Sequence, residues 1–288
     1  MIADFFRILL RERHMSKIDF TQTLASGLGA YNTNVGQWWV HKTRNAAHAA
    51  AYVNIADHVA RNARGKGGLL IDYGCGPGHL MRRLVDVLPT WMFLGIDGSK
   101  VMLRGAETWA RTKRKSRAAS IEFRLAKLPD FSVTTPKADL IVFSFPNIVS
   151  VARERRAFEE IFQKDRAFAG FLAMKQERGE DVEALYDSLF MSRVVARNLH
   201  FLLKKEGLCV RVDYSQGARE ELGQFDQLST LFEEGSLSAK QSRLKPQKFF
   251  ELIYSEYYPS AVIRDVYDQT KDKDFLEGGY LVSLLQAI

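Results

Sequence analysis

The segment Asp72-Tyr73-Gly74-Cys75-Gly76-Pro77-Gly78 combines residue types and spacing that can do chemistry. It closes the short apolar run Leu69–Tyr73 and precedes His79–Leu88, whose apolar residues recur at helical spacing, so the whole reads as strand, tight turn and helix. Alternating glycines leave no Cβ between the backbone and a ligand, and the helix N-terminus lies beneath the turn. A second apolar run, Trp91–Asp97, ends in a carboxylate about 20 residues on, the usual separation for accepting both hydroxyl protons of a ribose. Gly-x-Gly-x-Gly is one residue tighter than the Gly-x-Gly-x-x-Gly pattern that brings a pyrophosphate against a helix. Asp72, two positions ahead of the turn, can meet a ligand ammonium group. Alone, the turn indicates a nucleotide-like ligand.

Other elements must hold this turn in place. Residues 17–62 read as mostly helical, with Ala46, Ala47, Ala49, Ala50, Ile55, Ala56 and Val59 at rough 3–4 spacing. A helix is expected over Ser99–Arg111, a third strand over Ile121–Leu125 and a fourth over Ala138–Phe145. Residues 151–206 read as largely helical, ending at Gly207, and Leu208–Tyr214 as a fifth strand. A helix is expected from Pro246 to about Tyr257, then two closing strands, Ala261–Tyr267 and Tyr280–Leu285. Their hairpin-like connection, Asp268 to Gly279, makes the last strand antiparallel. Near-continuous apolar runs alternating with amphipathic helices indicate an α/β fold, with a mostly parallel seven-stranded sheet covered on both faces by helices.

With these motifs placed, Leu70–Gly78 resembles the first motif of the class I S-adenosylmethionine-dependent methyltransferases. Gly95-Ile96-Asp97-Gly98-Ser99-Lys100-Val101-Met102-Leu103 resembles the second. Asp139–Phe143 resembles the fourth-strand motif, and Leu202–Leu208 the helix-to-strand corner before the fifth strand. The match spans about residues 66–214 in order. It implies a Rossmann-like fold, S-adenosylmethionine as cofactor, and methyl transfer as the reaction. It also assigns roles by position: Asp72, Gly74, Cys75, Gly76 and Gly78 at the methionine portion, Asp97 at the ribose, and Gly98 and Met102 at the adenine. Leu125 falls near the adenine amine and Ser144 by the methionine end. The chain departs from the pattern at Arg124, which stands where many relatives carry an acidic residue, so a backbone amide is expected to meet the adenine there.

The implied organisation is a helical extension or lid over residues 1–62 and a cofactor-binding domain over 63–288, with helical insertions around 151–195 and 216–245. Tyr31, Trp38 and Trp39 lie where similar enzymes fold a lid over the cofactor, and an aromatic face there can exclude water and meet the sulfonium. Methyl transfer needs alignment and, for some acceptors, a base. The candidates are Tyr31, His41, His200, Asp213 and Tyr214. Ser144-Phe145-Pro146-Asn147 reads as a turn in which Pro146 stops the strand. No His, Cys and carboxylate cluster has ligand spacing, so no metal is expected.

Composition narrows the partners. The 288 residues, 46% hydrophobic and 26% charged, suit a globular domain. No apolar run reaches the ~18 residues that span a bilayer, and the opening residues lack a signal-peptide cleavage site. Two cysteines outside any framework spacing suit a reducing cytoplasm. The net charge of +7 would suit an anionic partner. Its densest run, Arg111–Arg117, is read as a solvated loop at the amino end of the sheet, opposite the cofactor edge. A small-molecule methyl acceptor is therefore expected ahead of RNA, a protein acceptor or a non-catalytic binding role, and no membrane is involved.

Overall fold

The computed structural model describes residues 40, 44–63, 65, 67–117, 121–126, 136–145, 177, 179, 195–215, 249–262 and 278–288. The strands are β1 (Leu69–Tyr73), β2 (Met92–Asp97), β3 (Ile121–Leu125), β4 (Ala138–Ser144), β5 (Leu203–Ser215), β6 (Phe250–Pro259) and β7 (Gly279–Ala287). The labelled helices are α1 (Ala46–Asn62), α2 (His79–Val87) and α3 (Lys100–Arg117). The strands make one seven-stranded sheet in the order β3-β2-β1-β4-β5-β7-β6. Strands β1 to β5 pair in parallel, while β7 runs antiparallel to both β5 and β6.

The central strands are buried on both faces, which is why β1 and β4 read as continuous apolar runs. On one face Ile55 and Val59 of α1 and Leu80, Met81 and Leu84 of α2 pack with Leu70, Leu140, Val210 and Val212. On the other face Ile71, Tyr73, Ile141, Phe143 and Cys209 pack against Val195, Ala196, Leu199 and Leu202 of the helical stretch 195–202. β1 lies between β2 and β4, where the strand order reverses, and ligands of open α/β sheets bind outside the carboxyl ends of the strands at such a point. The glycine turn leaves β1 at that edge.

Several expectations are corrected. Residues 250–259 are a strand, not part of a helix. Their aromatic and β-branched side chains suit a pleated edge, and pairing with β7 from Phe250↔Ala287 to Pro259↔Gly279 decides the outcome. The strand expected over 261–267 is a turn at Ala261 and helical at Val262, and its remainder lies outside the described residues. β5 starts at Leu203 rather than Leu208, through a register shift against β4 and a left-handed Glu206 (φ 61°). The basic run is not a loop: α3 continues to Arg117, and Arg111 pairs with Glu107 one turn back at 3.6 Å. Of the expected N-terminal helical region, α1 and the helical Val40 are described. Of the expected insertions, Glu177, Gly179 and residue 195 are described, and 216–245 lies outside the described residues.

Gly95 in β2 shows how closely the turn is supported from below. A Cβ there would lie 2.6 Å from the Phe123 ring and 3.0 Å from Cys75 Sγ. Gly95→Ala is expected to lower the unfolding free energy by about 1–3 kcal/mol through overpacking. Urea denaturation measures it directly, and an unchanged midpoint would show that the ring and the turn shift freely.

Candidate functional site

The turn is built by backbone geometry. Gly74, Gly76 and Gly78 take positive φ values of 81°, 53° and 78°, a region open to glycine at little cost. The amides of Gly74 and Cys75 both donate to the Ile96 carbonyl, at 2.8 and 3.0 Å, tying the turn to β2. Gly78 occupies the N-cap position of α2 and supplies no side-chain cap to its first turn. At Gly76 an added Cβ would meet no atom of the described residues within 4 Å. A space left open above a glycine turn at the carboxyl edge of a sheet is a place for a ligand.

Two carboxylates lie in the strands beside the turn, Asp72 in β1 and Asp97 at the end of β2. Asp97 Oδ2 accepts the Gly76 amide and Oδ1 the Ser99 amide, each at 2.8 Å. Burial raises its pKa, while those two amide bonds pull it down. Asp72 is 1% exposed, and its Oδ2 is buried with no hydrogen-bond partner among the described residues. Burial, and secondarily the charge of Asp97, push Asp72 up to about 7. A buried carboxylate oxygen without a protein partner is costly and suits a cationic ligand group.

The other expected cofactor residues are brought to the same edge. Gly98 follows β2, and Met102 is buried in the first turn of α3, where its amide meets Ser99 Oγ at 3.3 Å. Leu125 ends β3 with 47% of its surface exposed, and Ser144 ends β4. The Ala126 amide just beyond β3 donates to the Asp97 carbonyl at 3.1 Å. The Cys75 side chain is buried toward Gly95.

Among the catalytic candidates, Tyr214 lies at the carboxyl end of β5, stacked on Phe145 with ring centroids 4.5 Å apart. Asp213 is engaged by Arg211 through contacts of 2.7 and 2.9 Å. His200 is held away from the edge: its Nε2 donates to the Ile288 carbonyl at 2.8 Å, beyond the end of β7, beside the start of β5. Tyr31, His41, Trp38 and Trp39 lie outside the described residues.

The sequence reading missed His48 and Tyr52. Both project from α1 into an aromatic cluster over the ends of β4, β5 and β7. His48 lies 5.5 Å from Phe145 and Tyr52 lies 6.1 Å from it, and Phe145 is held at φ 47°, a strained value for a side chain of this size. Burial lowers His48 to about 4, helped by His79, and burial followed by the charge of Asp72 raises Tyr52. His79 opens α2 with a buried Nε2 that has no partner among the described residues, 6.2 Å from the Tyr52 ring. Burial first, then Arg82 and Arg44, lower its pKa to about 4. The available signal was the spacing 48, 52, 55, 59, which puts a histidine and a tyrosine on the buried stripe of α1.

A family model described as a methyltransferase domain matches residues 70–164. No curated protein sequence matches the chain. Among solved structures, magnesium protoporphyrin IX methyltransferase from Synechocystis PCC 6803, with bound S-adenosylmethionine, is 11% identical, covering 94% of this chain and 98% of its own with a TM-score of 0.50. The 4+2 cyclase SpnF is 13% identical, covering 82% and 80%, also at 0.50. TrmN from Thermus thermophilus is 14% identical at 0.46; the match covers 84% of this chain but only 48% of TrmN. At such identities the likenesses concern the fold. No helix among the described residues is long and apolar enough to cross a membrane.

Proposed function

We propose that this chain, a class I S-adenosylmethionine-dependent methyltransferase, transfers the methyl group to a nucleophilic atom of a small molecule. The observation that carries the reading is the buried Asp72 Oδ2, without a hydrogen-bond partner among the described residues, in the strand that leads into the glycine turn. Asp72 takes the ammonium of the methionine portion, which lies across the Gly74–Gly78 turn. Asp97 takes the ribose hydroxyls, using lone pairs left after its two amide bonds. Gly98, Met102 and Leu125 border the adenine, and Ser144 lies by the methionine end. When bound, the cofactor supplies an activated methyl on a sulfonium. The protein's work is alignment, exclusion of water and, for an acceptor that carries a proton, its removal.

On this reading residues 63–288 form the cofactor domain, and α1 of the preceding segment covers one face of it. A small acceptor is favoured over a nucleic acid by the address of the basic run: α3 carries it toward the start of β3, at the opposite edge of the sheet from Asp72 and Asp97.

The test is equilibrium binding of labelled S-adenosylmethionine, followed by incubation with a metabolite extract to find which species gains the label. Binding in the micromolar range and a labelled small product are expected. Gly76→Ala fills the open space and is expected to weaken binding at least about tenfold, while circular dichroism stays that of the parent protein. Failure of the parent protein to bind the cofactor would overturn the assignment. A converted but unlabelled product would replace methyl transfer by another reaction on the same fold, as the likeness to a cyclase makes worth checking.

A further inference from the structure

The net charge of this molecule is not spread over it. Seven lysines and arginines stand in α3 against one acid, Glu107, a formal charge of +6. The whole chain carries +7, so nearly all of its net charge lies in one helix. Solubility does not require this, because charges of both signs solvate a helix equally well and pair at i,i+4. Cations in the last turn gain from the helix dipole, but Arg104 and Arg111 lie too far back for that.

The charges are also sorted by face. Met102, Leu103, Ala106 and Ala110 are buried on one side of α3. Lys100, Arg104 and Arg111 stand exposed on the other, and at 3.6 residues per turn positions 114 and 115 continue their line. Arg111 meets Glu107 at 3.6 Å with 70% of its side chain still exposed, a pair of little worth in water. From position 100 to position 115 the row is about 22 Å long at 1.5 Å per residue. A strand of a duplex carries one charge per 3.4 Å of its axis, so the row runs beside about six phosphates.

We infer that this face of α3 docks the sugar–phosphate backbone of a nucleic-acid duplex without reading its sequence. The duplex is a docking partner and not the methyl acceptor, because the dense end of the row lies toward the start of β3, away from Asp72 and Asp97. The inference therefore goes beyond the proposed reaction. Charge complementarity names the partner, and the chemistry of the face narrows it. The exposed large apolar side chains among the described residues are Val53, Val87, Met92, Leu125, Ile253 and Ile288, none of them in α3. An acidic protein would need aromatic or aliphatic anchors, and a membrane surface would need an apolar helix face to insert, but that face of α3 is buried in the core. Trp109 packs against the core with the Arg82 guanidinium 5.4 Å from its ring, so it is no open platform for an unstacked base. A duplex, with its phosphates outside and its bases already stacked, fits better than a single strand. Contacts to phosphates alone carry no sequence information.

The test is fluorescence anisotropy of the full chain with two labelled DNA duplexes of unrelated sequence, each about 20 base pairs, from about 50 to 200 mM salt. Both are expected to bind alike, with a Kd of about 10⁻⁶ M at the lowest salt and a steep loss as salt rises. Arg111→Gln combined with Arg114→Gln and Lys115→Gln should lower affinity for both duplexes at least about tenfold and reduce the salt slope by about 2–3, roughly one for each lost phosphate contact. A control variant, Arg61→Gln with Arg83→Gln and Lys205→Gln, removes the same charge from three other exposed positions. It should bind within about threefold of the parent, because charges beyond a Debye length are screened. Equal losses in the two variants would reduce the effect to net charge and overturn the proposal. Failure of the parent to bind either duplex at the lowest salt would overturn it too. Tighter binding to phosphatidylserine vesicles, or to polyglutamate at equal charge, would overturn it in favour of a membrane or an acidic protein. Cofactor affinity should be unchanged in the α3 variant, and its loss would tie these side chains to the methyl-transfer site instead. Should the triple variant fail to fold, Arg104→Gln leaves the last turns intact and is expected to reduce the salt slope by about one. An unchanged slope in that variant would overturn the proposal.

Discussion

Asp72→Asn is expected to stabilise the ligand-free protein and to abolish useful cofactor binding. The Asp72 carboxyl titrates near 7 in the folded protein, against 3.8 for the group in its ordinary environment, because burial and the charge of Asp97 disfavour its ionised form. A carboxyl whose folded pKa is raised binds its proton more tightly when folded. Stability is therefore greatest below the unfolded value, falls as the pH rises between about 4 and 7, and is flat above that. Three units correspond to about 4 kcal/mol as an upper limit, since relaxation and water entry reduce it. Asparagine has the same shape and no charge to bury. The variant's melting temperature at pH 8 should lie several degrees above that of the parent, and the parent's gain on moving to pH 5 should shrink. Binding should change in the opposite sense. Losing one member of a buried charge pair costs about 2–5 kcal/mol, at least about 30-fold in affinity. In the parent protein the proton and the ligand ammonium compete for one carboxylate, so affinity should fall by about tenfold per unit below pH 7. Calorimetric titration from pH 8 to pH 5.5 measures this. A pH-independent affinity, or a destabilised Asn variant, would remove Asp72 from the role.

The opposed signs also explain why this part of the molecule was legible in the sequence. A glycine turn, an acid two residues before it and an acid ending the next strand are local patterns whose reason is the absence of Cβ atoms and the demand of a ligand. They stand in the chain whatever the rest does. β1 was legible with its exact ends for a related reason, because a strand buried on both faces leaves a short apolar run before a turn. The edge strand β3 showed through its alternation of Ile121, Phe123 and Leu125 with charged residues. β6 was not. Phe249–Tyr258 follows a proline and holds apolar residues at spacings that fit a helix, and only β7, some twenty residues further on, makes it a strand. His48 was missed for the same kind of reason. Its partner Tyr214 lies 166 positions away, and nothing near His48 in the chain announces a hydrogen bond across the sheet edge. The basic run was misplaced because its charges suit solvent equally well on a loop or on the last turns of a helix.

Asp97→Ala is expected to do more than remove a ribose contact. Each carboxylate oxygen already holds a backbone amide at 2.8 Å, one in the glycine turn and one at the start of α3. Alanine leaves both amides without an acceptor at a largely buried site, costing about 1–3 kcal/mol for each unless water replaces it. The turn then loses the bond that sets Gly76, so cofactor affinity should fall by at least about 100-fold, combining the lost ribose contact with the cost of ordering the turn. Asp97→Asn separates the two contributions. Its single carbonyl oxygen can serve either Gly76 or Ser99, while its amide group opposes the other backbone N–H. It should therefore retain part of the stability but little of the affinity. Urea denaturation and cofactor titration on both variants decide the matter. If Asp97→Ala binds S-adenosylmethionine as the parent does, neither the ribose role nor the coupling of this carboxylate to the turn survives. If it loses stability but keeps its affinity once folded, the carboxylate is a brace for Gly76 and Ser99 alone.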